Sequence, residues 1–336
     1  RGSSLLLAGR LLAKGANFVV HILTVRYLSR SDYGAIAYAV ALASMGEHVG
    51  SLGLHRAVSR FVPIYLEQRD YRRAGGTIAL AMAVIIALGV LCIAVVYGAR
   101  DLIARYLIHD ELAASLLLIL VFLSPLNALD TLFSGMLAVF TSPRAIFLRR
   151  YVVAPVLKIV VILLVIAAGL GVRALGLGYL IAGLIGVALY AVILARAMRA
   201  NGLLPHLAPA SATIPWREIA AYTVPLLTTD VVYLLLNSAV ILLLGYYGGT
   251  DDVAVYRAVW PVATLNELVF LTFGLLFAPQ AARLFARNDR RGMHDFYWHT
   301  AAWMSVLTLP IFICTFSLSG TVTRYLFGPQ YAESSS

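Results

Sequence analysis

Nine long apolar runs constrain the fold of this chain more than any other feature of its sequence. They lie at about 5–28, 34–55, 75–99, 112–140, 151–172, 175–197, 217–246, 253–282 and 296–318. Each is long enough to cross about 30 Å of hydrocarbon as a helix. Only helices and closed barrels satisfy every backbone polar group within lipid, and these runs lack the alternating pattern of barrel strands. The sequence therefore predicts an all-α polytopic membrane protein.

Composition favours the same class. Hydrophobic residues make up 61% of the 336 residues and charged residues only 12%, whereas soluble globular chains are about half apolar and a quarter charged. The formal net charge is +10, which in a soluble protein would suggest nucleic-acid binding. Here the basic residues cluster mainly between the runs, where positive charge meets lipid headgroups. We therefore expect membrane lipids, and no nucleic acid, as partners.

Positive charge is distributed unevenly over the connections between the runs. The second, fourth, sixth and eighth connections hold fifteen arginines, whereas the first, third, fifth and seventh hold six. Because cytoplasmic connections carry the excess of Lys and Arg, the sequence predicts a multi-pass protein of the cytoplasmic membrane with a cytoplasmic amino terminus. The first run carries Arg10 and Lys14 and precedes further runs, so it is not a cleavable signal peptide.

One offset of 219 residues recurs along the chain. The matches that include polar residues pair Arg105-Tyr106-Leu107 with Arg324-Tyr325-Leu326, Glu47-His48 with Asn266-Glu267, Asp70-Tyr71-Arg72 with Asp289-Arg290-Arg291, and 32–36 with 251–255. Because the shift spans six helices, an even number, each helix of the first repeat crosses the membrane in the same direction as its match in the second. The offset therefore predicts two parallel repeats, each a lobe of six helices.

The offset also predicts the domain organisation. We expect a first lobe at 1–200 with helices one to six, a cytoplasmic linker rich in Pro, Ala and Ser at 201–216, and a second lobe at 217–336. Because two repeats of 219 residues exceed 336, the second lobe is expected to be truncated after about three helices. The alternative is a native nine-helix protein.

Four polar residues share one face of the first predicted helix. Arg10, Lys14, Asn17 and His21, here called the cationic stripe, are spaced 4, 3 and 4 residues apart, within a sector of about 60°. A charge at the bilayer centre costs roughly 2.5–3.5 kcal/mol, so such residues usually face a bundle interior or a water-filled cavity. We expect the stripe to bind an anionic substrate group. The alternative is that Arg10 and Lys14 extend toward lipid phosphate at the membrane surface.

Further charged residues interrupt other runs. Glu47 and His48 lie near the middle of the second run, Asp230 lies in the seventh, and Arg257 and Glu267 lie in the eighth. A carboxylate that faces a cationic stripe lowers the cost of burying both charges, and it can also bind a proton. We interpret these five residues as candidate coupling or gating groups. Static interhelical salt bridges are the alternative.

Catalytic motifs are absent from the sequence. It contains no phosphate-binding glycine loop, no His-Glu-x-x-His metal pair and no serine nucleophile motif. Asp251 and Asp252 follow two glycines in a short predicted external turn, where a helix cap is favoured over a metal site. The sequence therefore predicts a transporter rather than an enzyme, with no metal and no cofactor.

Three short motifs resemble the polysaccharide-biosynthesis flippases of the multidrug/oligosaccharidyl-lipid/polysaccharide (MOP) exporter superfamily. They are Tyr27 to Gly34 between the first two runs, Arg60 to Pro63 after the second run, and Leu326 to Tyr331 after the ninth. The resemblance implies two MATE-like lobes of six helices, alternating access, and a cationic lumen lined in part by the first helix. One departure is the apolar pair Ala239-Val240, where many members carry an acidic residue, and it places ion coupling through the seventh helix in doubt.

These observations predict a flippase for a lipid-linked (polyprenyl-pyrophosphate) oligosaccharide or a related anionic glycolipid, used in surface polysaccharide biosynthesis. A polysaccharide polymerase and glycosyltransferases are its expected protein partners. One alternative is a multidrug exporter, whose mostly cationic substrates favour acidic and aromatic linings. A lipid II flippase is another, because its cargo is also an anionic glycolipid. A membrane glycosyltransferase or ligase is more remote, since no external connection exceeds about a dozen residues.

Overall fold

Helices form nearly all of the described chain. The computed structural model describes residues 2–106, 108, 110–140, 147–200, 202 and 213–331, and it contains no β-strand within these ranges. The helices are α1 (Gly2–Tyr27), α2 (Arg30–Ser51), α3 (Leu54–Glu67), α4 (Tyr71–Gly98), α5 (Arg100–Tyr106), α6 (Glu111–Leu120), α7 (Leu123–Phe140), a π-helical segment (Phe147–Val153), α8 (Ala154–Ala167), α9 (Val172–Ala200), α10 (Trp216–Tyr247), α11 (Gly249–Ala263), α12 (Leu265–Ala286), α13 (Arg290–Ser317) and α14 (Ser319–Phe327).

Seven helical stretches in the described ranges are long and apolar enough to cross a membrane. They are Tyr71–Gly98, Glu111–Phe140, Phe147–Ala167, Val172–Ala200, Trp216–Leu236, Leu265–Ala286 and Arg290–Ser317. Each overlaps one of the predicted runs from the third to the ninth. The chain is therefore an all-α, multi-pass membrane protein, as its sequence predicts.

The first two predicted runs form helices of spanning length that are less apolar. α1 contains 26 residues and α2 contains 22, but neither is among the stretches apolar enough to qualify as a span by composition. The reason is chemical, because α1 carries the cationic stripe and α2 carries Glu47 and His48. Polar residues concentrate where the sequence predicts the substrate and coupling groups.

Three features of the fold differ from a simple series of uninterrupted runs. The eighth predicted run divides at Thr264 into α11 and α12, and the fourth divides between α6 and α7. The long connection predicted after the second run folds into the amphipathic helix α3, which buries Val58 and Val62 and exposes Arg60. The predicted linker at 201–216 lies mostly outside the described residues.

Local structure repeats at the predicted offset. α4 and α13 each contain 28 residues and begin at Tyr71 and Arg290. Asp70 and Asp289 cap these two helices, and each carboxylate accepts a hydrogen bond from the backbone N–H three residues later. The residue before each cap has a positive φ, 56° at Arg69 and 51° at Asn288. These two helices and their caps match at the predicted offset, while the repeat as a whole and the division into two six-helix lobes stay predictions.

The chain forms two compact units, 1–254 and 255–336. In the first, α1 packs against α8, α8 against α9, α9 against α7, α7 against α2, and α2 returns to α1, while α2 also contacts α9 across this circuit. We call this arrangement the five-helix ring. A hydrophobic core of α3, α4, α7 and α9 residues lies beside it. In the second unit α12 packs against α13, where the rings of Phe277 and Phe296 stack at 5.2 Å.

Candidate functional site

The N-terminal half of the cationic stripe lies beside the π-helical segment. Arg10 is exposed, and its Nε donates a hydrogen bond to the Tyr151 hydroxyl at 3.3 Å. Gly9 packs so closely against the rings of Phe147 and Tyr151 that an added Cβ would overlap both. The glycine therefore allows the two helices to approach, and this contact places the start of the stripe at the junction of α1 and the π-helical segment.

The C-terminal half of the stripe faces α2. The Nδ1 atom of His21 lies 3.4 Å from the Tyr33 hydroxyl, and the two rings meet edge to face with centroids 5.8 Å apart. Asn17, between His21 and Lys14, is exposed and donates to the Ala13 carbonyl on its own helix at 2.8 Å. The stripe therefore runs from the π-helical segment to α2, along the face of α1 that lies between these neighbours.

The apolar surface of α1 lies on the other side of the helix. Leu12 and Val19 are 57% and 48% exposed. Each is two residues from a member of the stripe, which corresponds to a rotation of about 200° around the helix. The exposed apolar face and the cationic stripe are thus opposite one another. This geometry favours the interpretation in which the stripe faces away from lipid over the one in which Arg10 and Lys14 extend along the lipid-facing surface.

The two neighbouring polar residues of α2 point in different directions. Glu47 is half-buried and accepts a hydrogen bond from Asn127 of α7, with Asp130 also nearby. His48 is exposed, and its Nδ1 lies 2.8 Å from the Ser44 carbonyl on its own helix. Glu47 therefore faces the α2–α7 contact within the ring, whereas His48 does not.

Asp230 belongs to a set of contacts that join α3 to α10. Its Oδ1 lies 2.6 Å from Nη2 of Arg56. One turn further along α3, the guanidinium of Arg60 lies over the ring of Tyr222 at 4.5 Å from the centroid. These contacts agree with the alternative of a static interhelical salt bridge at Asp230, and its predicted coupling or gating role stays a prediction.

Tyr65 adds a third contact between α3 and α10. Its hydroxyl donates to Oε2 of Glu218 at 2.7 Å. Burial, together with the hydrogen bond and negative charge of Glu218, raises the pKa of Tyr65 to about 12. The phenol is thus held in its protonated, donating form.

Arg257 and Glu267 belong to the second compact unit. Arg257 is half-buried in α11, and Glu267 is exposed in the first turn of α12, beyond the break at Thr264. They are candidate coupling groups on sequence grounds, and their role stays a prediction.

Arg149 is a buried cation that the sequence interpretation missed. The charge count places it in a cytoplasmic connection, but the π-helical segment turns it inward, where its side chain is 7% exposed. It forms an ion pair with Asp130, its Nε donates to the Gly186 carbonyl at 3.0 Å, and its guanidinium lies 4.4 Å from the centroid of the Tyr190 ring. The sequence signal that could have found it is Asp130, a carboxylate within an apolar run that requires a cationic partner.

No group of three or more His, Cys, Asp or Glu side chains in the described part of the chain is arranged to hold a metal ion. The first unit contains a cationic face on α1, a carboxylate with an amide partner on α2, and an Arg–Asp ion pair between the π-helical segment and α7. This arrangement suits the binding of a charged group within a bundle.

Comparisons with known proteins agree with this architecture. The family model described as "Polysaccharide biosynthesis protein" matches residues 1–277. No curated protein is significantly similar in sequence. An inward-facing multidrug resistance MATE family transporter of the MOP superfamily superposes with a TM-score of 0.75 at 15% identity, over 95% of this chain and 74% of that one. The MATE multidrug transporter DinF-BH, solved as a complex, superposes with a TM-score of 0.62 at 15% identity, over 96% and 73% of the two chains.

At this level of identity the likeness shows a shared fold. The predicted MATE-like fold class is confirmed. Both solved structures are transporters.

Proposed function

Because the chain belongs to the polysaccharide biosynthesis protein family, we propose that it is a flippase for a lipid-pyrophosphate-linked oligosaccharide or a related anionic glycolipid. It moves this substrate across the cell membrane by alternating access, with its amino terminus in the cytoplasm. A polysaccharide polymerase and glycosyltransferases act beside it on the same lipid carrier.

The observation that carries the proposal is the cationic stripe opposite the exposed apolar face of α1. Arg10 and Lys14 are the contacts for the pyrophosphate, and Asn17 and His21 contact the same headgroup. Unit charges 4 Å apart attract by about 4 kcal/mol at an effective dielectric of 20, compared with about 1 kcal/mol in water. A partly desolvated stripe therefore attracts a diphosphate strongly, while the polyprenyl chain stays in lipid.

Glu47 supports a coupling role within the same site. It lies on α2, one of the two ring neighbours of α1, and its hydrogen bond from Asn127 fixes the carboxylate. A carboxylate near a cationic site competes with an anionic substrate for the same positive charges. Protonation of Glu47 strengthens headgroup binding, and its ionisation favours release. His48, Asp230, Arg257 and Glu267 complete the proposed set of coupling and gating groups.

The proposal is tested by polymer export in cells that depend on this protein. Replacing Arg10 and Lys14 together by Gln removes two charge-assisted contacts, and we expect export to fall about 100-fold at unchanged protein level. Arg26→Gln is the matched control, because Arg26 lies on the same helix outside the stripe. Unchanged export in the double variant, or an equal loss in the control, removes the headgroup role of the stripe.

A multidrug exporter is the second candidate, because the two solved structures that share the fold are multidrug transporters. Such a protein should change drug susceptibility in cells, and the double Gln variant should then increase cationic drug export by removing repulsion. A lipid II flippase differs from the main proposal only in the group attached to the lipid pyrophosphate. It is distinguished by whether depletion of the protein arrests cell-wall synthesis or surface polymer synthesis.

A further inference from the structure

The chain uses lysine in only two places. Of its 26 basic residues, 24 are arginines, and the two lysines are Lys14 and Lys158. Most arginines lie near helix ends or in connections, but Lys14 lies in the middle of α1. Lys158 lies eleven residues into the span Phe147–Ala167, also near its middle. Lysine is thus confined to mid-span positions on two helices that pack against each other.

Lys158 lies on the packed face of α8, away from the exposed apolar face. Pro155, Ile162 and Val165 are its same-face neighbours at i−3, i+4 and i+7, and all three are buried. Val160 on the opposite side is 44% exposed. The Lys158 side chain is nevertheless exposed, and Asp130 and Arg149 lie within electrostatic range of its ammonium group. An exposed side chain on a packed face means that the five-helix ring contains open space beside Lys158.

The register of α1 and α8 brings the two lysines to similar depths. Arg10 contacts Tyr151 near one end of the pair, and the Tyr27 hydroxyl donates to the Val165 carbonyl at 3.3 Å near the other. The two helices are therefore parallel. Residues that lie side by side on them differ by about 140 in residue number. Lys158 then lies about one helical turn, roughly 6 Å, beyond Lys14 along the α1 axis.

The charges around Lys158 leave positive charge in excess. Asp130 lies within electrostatic range of Lys158, but Arg149 already forms the ion pair with this carboxylate. Arg150 is a further cation near Asp130. Asp130 and the neighbouring Glu47 therefore lie near three cations on the π-helical segment and α8, which leaves one positive charge in excess. An anion that enters the open space beside Lys158 would meet a surplus of positive charge.

We propose that Lys158 is a second cationic contact for the substrate headgroup, and that the pyrophosphate binds inside the five-helix ring between α1 and α8. Lys14 and Lys158 bracket the diphosphate from two parallel helices. The Asp130–Arg149 pair forms the wall behind Lys158 and holds the surrounding helices in place. This inference rests on the proposed flippase function and assigns the location of its headgroup site.

The rarity of lysine makes a direct test possible. The purified protein is acetylated with a water-soluble amine-reactive reagent, and modification of Lys14 and Lys158 is quantified by mass spectrometry. The anionic probe is farnesyl pyrophosphate, and farnesol is the uncharged control. We expect both lysines to react, and farnesyl pyrophosphate but not farnesol to protect both.

The outcomes separate this inference from the function on which it rests. Protection of Lys14 alone overturns the role of Lys158 and leaves the proposed function standing. Protection of neither lysine contradicts the headgroup role of the stripe as well. A Lys158 that does not react in the absence of the lipid shows that the open space is missing, and this result also overturns the proposal.

Variants of Lys158 supply a second readout. Lys158→Gln should reduce polymer export about tenfold, since one charge-assisted contact is lost, whereas Lys158→Arg retains the charge and should keep most of the export. Arg196→Gln, at an exposed arginine on α9, is the control for a lost positive charge. Unaltered acetylation of Lys14 in Lys158→Gln verifies that α1 is in place. Equal export by Lys158→Gln and the parent protein would refute the contact.

Discussion

Arg149 shows how a charge becomes part of the interior of a membrane protein. Its three partners come from α7 and α9, and each satisfies a different part of the guanidinium. Gly186 contributes through the lack of a side chain, because a Cβ at this position would overlap the guanidinium. The ion pair and the glycine therefore depend on each other.

Removal of Arg149 leaves Asp130 without its ion-pair partner. Breaking a buried pair by deleting one member costs roughly 3–5 kcal/mol, so Arg149→Ala should lower the thermal unfolding midpoint of the detergent-purified protein strongly. Arg150→Ala is the control, because Arg150 is exposed and has a 3.4 Å hydrogen bond to Ser134. Similar midpoints for the two variants would show that the pair does not stabilise the fold.

Tyr65 predicts a loss of stability at alkaline pH. Its folded-state pKa is about 12, whereas a tyrosine in an unfolded chain titrates near 10, at about the reference value. Because the folded pKa is the higher one, the protonated phenol contributes stability that is complete below about pH 10. This contribution is lost as the pH rises toward 12. The stability difference between the parent protein and Tyr65→Phe should therefore shrink over this interval, and a difference independent of pH would contradict the assignment.

The residues that could be predicted from the sequence are those with a local pattern. The cationic stripe follows from spacing along one helix, and the structure places Arg10 beside the π-helical segment and His21 beside α2. The Asp130–Arg149 pair joins residues on different elements, and its geometry depends on a π-helical segment that shifts the side-chain register. Helical periodicity contains no information about that shift.

Two glycines permit the close contact between α2 and α10–α11 within the first compact unit. A Cβ on Gly34 would overlap the backbone carbonyl of Thr250, and a Cβ on Gly245 would overlap the ring of Tyr38. These positions lie toward the same ends of the two antiparallel helices. The two helices approach closely there because Gly34 and Gly245 lack side chains.

Two glycines of α2 provide a matched pair of substitutions. Gly34→Ala should lower stability by about 1–3 kcal/mol, because backbone atoms of Thr250 cannot move aside as a side chain could. Gly50→Ala should be neutral or stabilising by at most about 1 kcal/mol, since nothing lies within 4 Å of the added methyl group. Unfolding midpoints of the purified variants test this difference, and equal effects would contradict the packing described for α2.

At the scale of elements, the sequence predicts where helices lie better than where they break. Seven of the nine apolar runs coincide with apolar spans, because hydrocarbon thickness sets their length. The divisions at Thr264 and between α6 and α7 occur within runs long enough to be single spans, although Pro261 and the polar pair Asn266-Glu267 lie beside the first division. The sequence predicts α3 only as part of a connection, because its apolar residues form only one face.

At the scale of the whole molecule, fold and cargo are separate questions. The chain shares its fold with multidrug transporters at 15% identity, and one fold serves many substrates. We expect the chemistry of the proposed site to distinguish them. Positive groups on α1 and α8 suit an anionic headgroup, whereas a site for cationic drugs requires acidic and aromatic groups.

Transport in proteoliposomes tests the central proposal most directly. The protein is reconstituted into liposomes that contain a fluorescent sugar linked to a short polyprenyl pyrophosphate, and a membrane-impermeant quencher reports which leaflet holds it. We expect the parent protein and Arg26→Gln to translocate the lipid well above protein-free liposomes, and the double Gln variant at Arg10 and Lys14 to fall to the protein-free rate. Equal rates with and without the two cations, or no translocation by the parent protein, would contradict the proposed function.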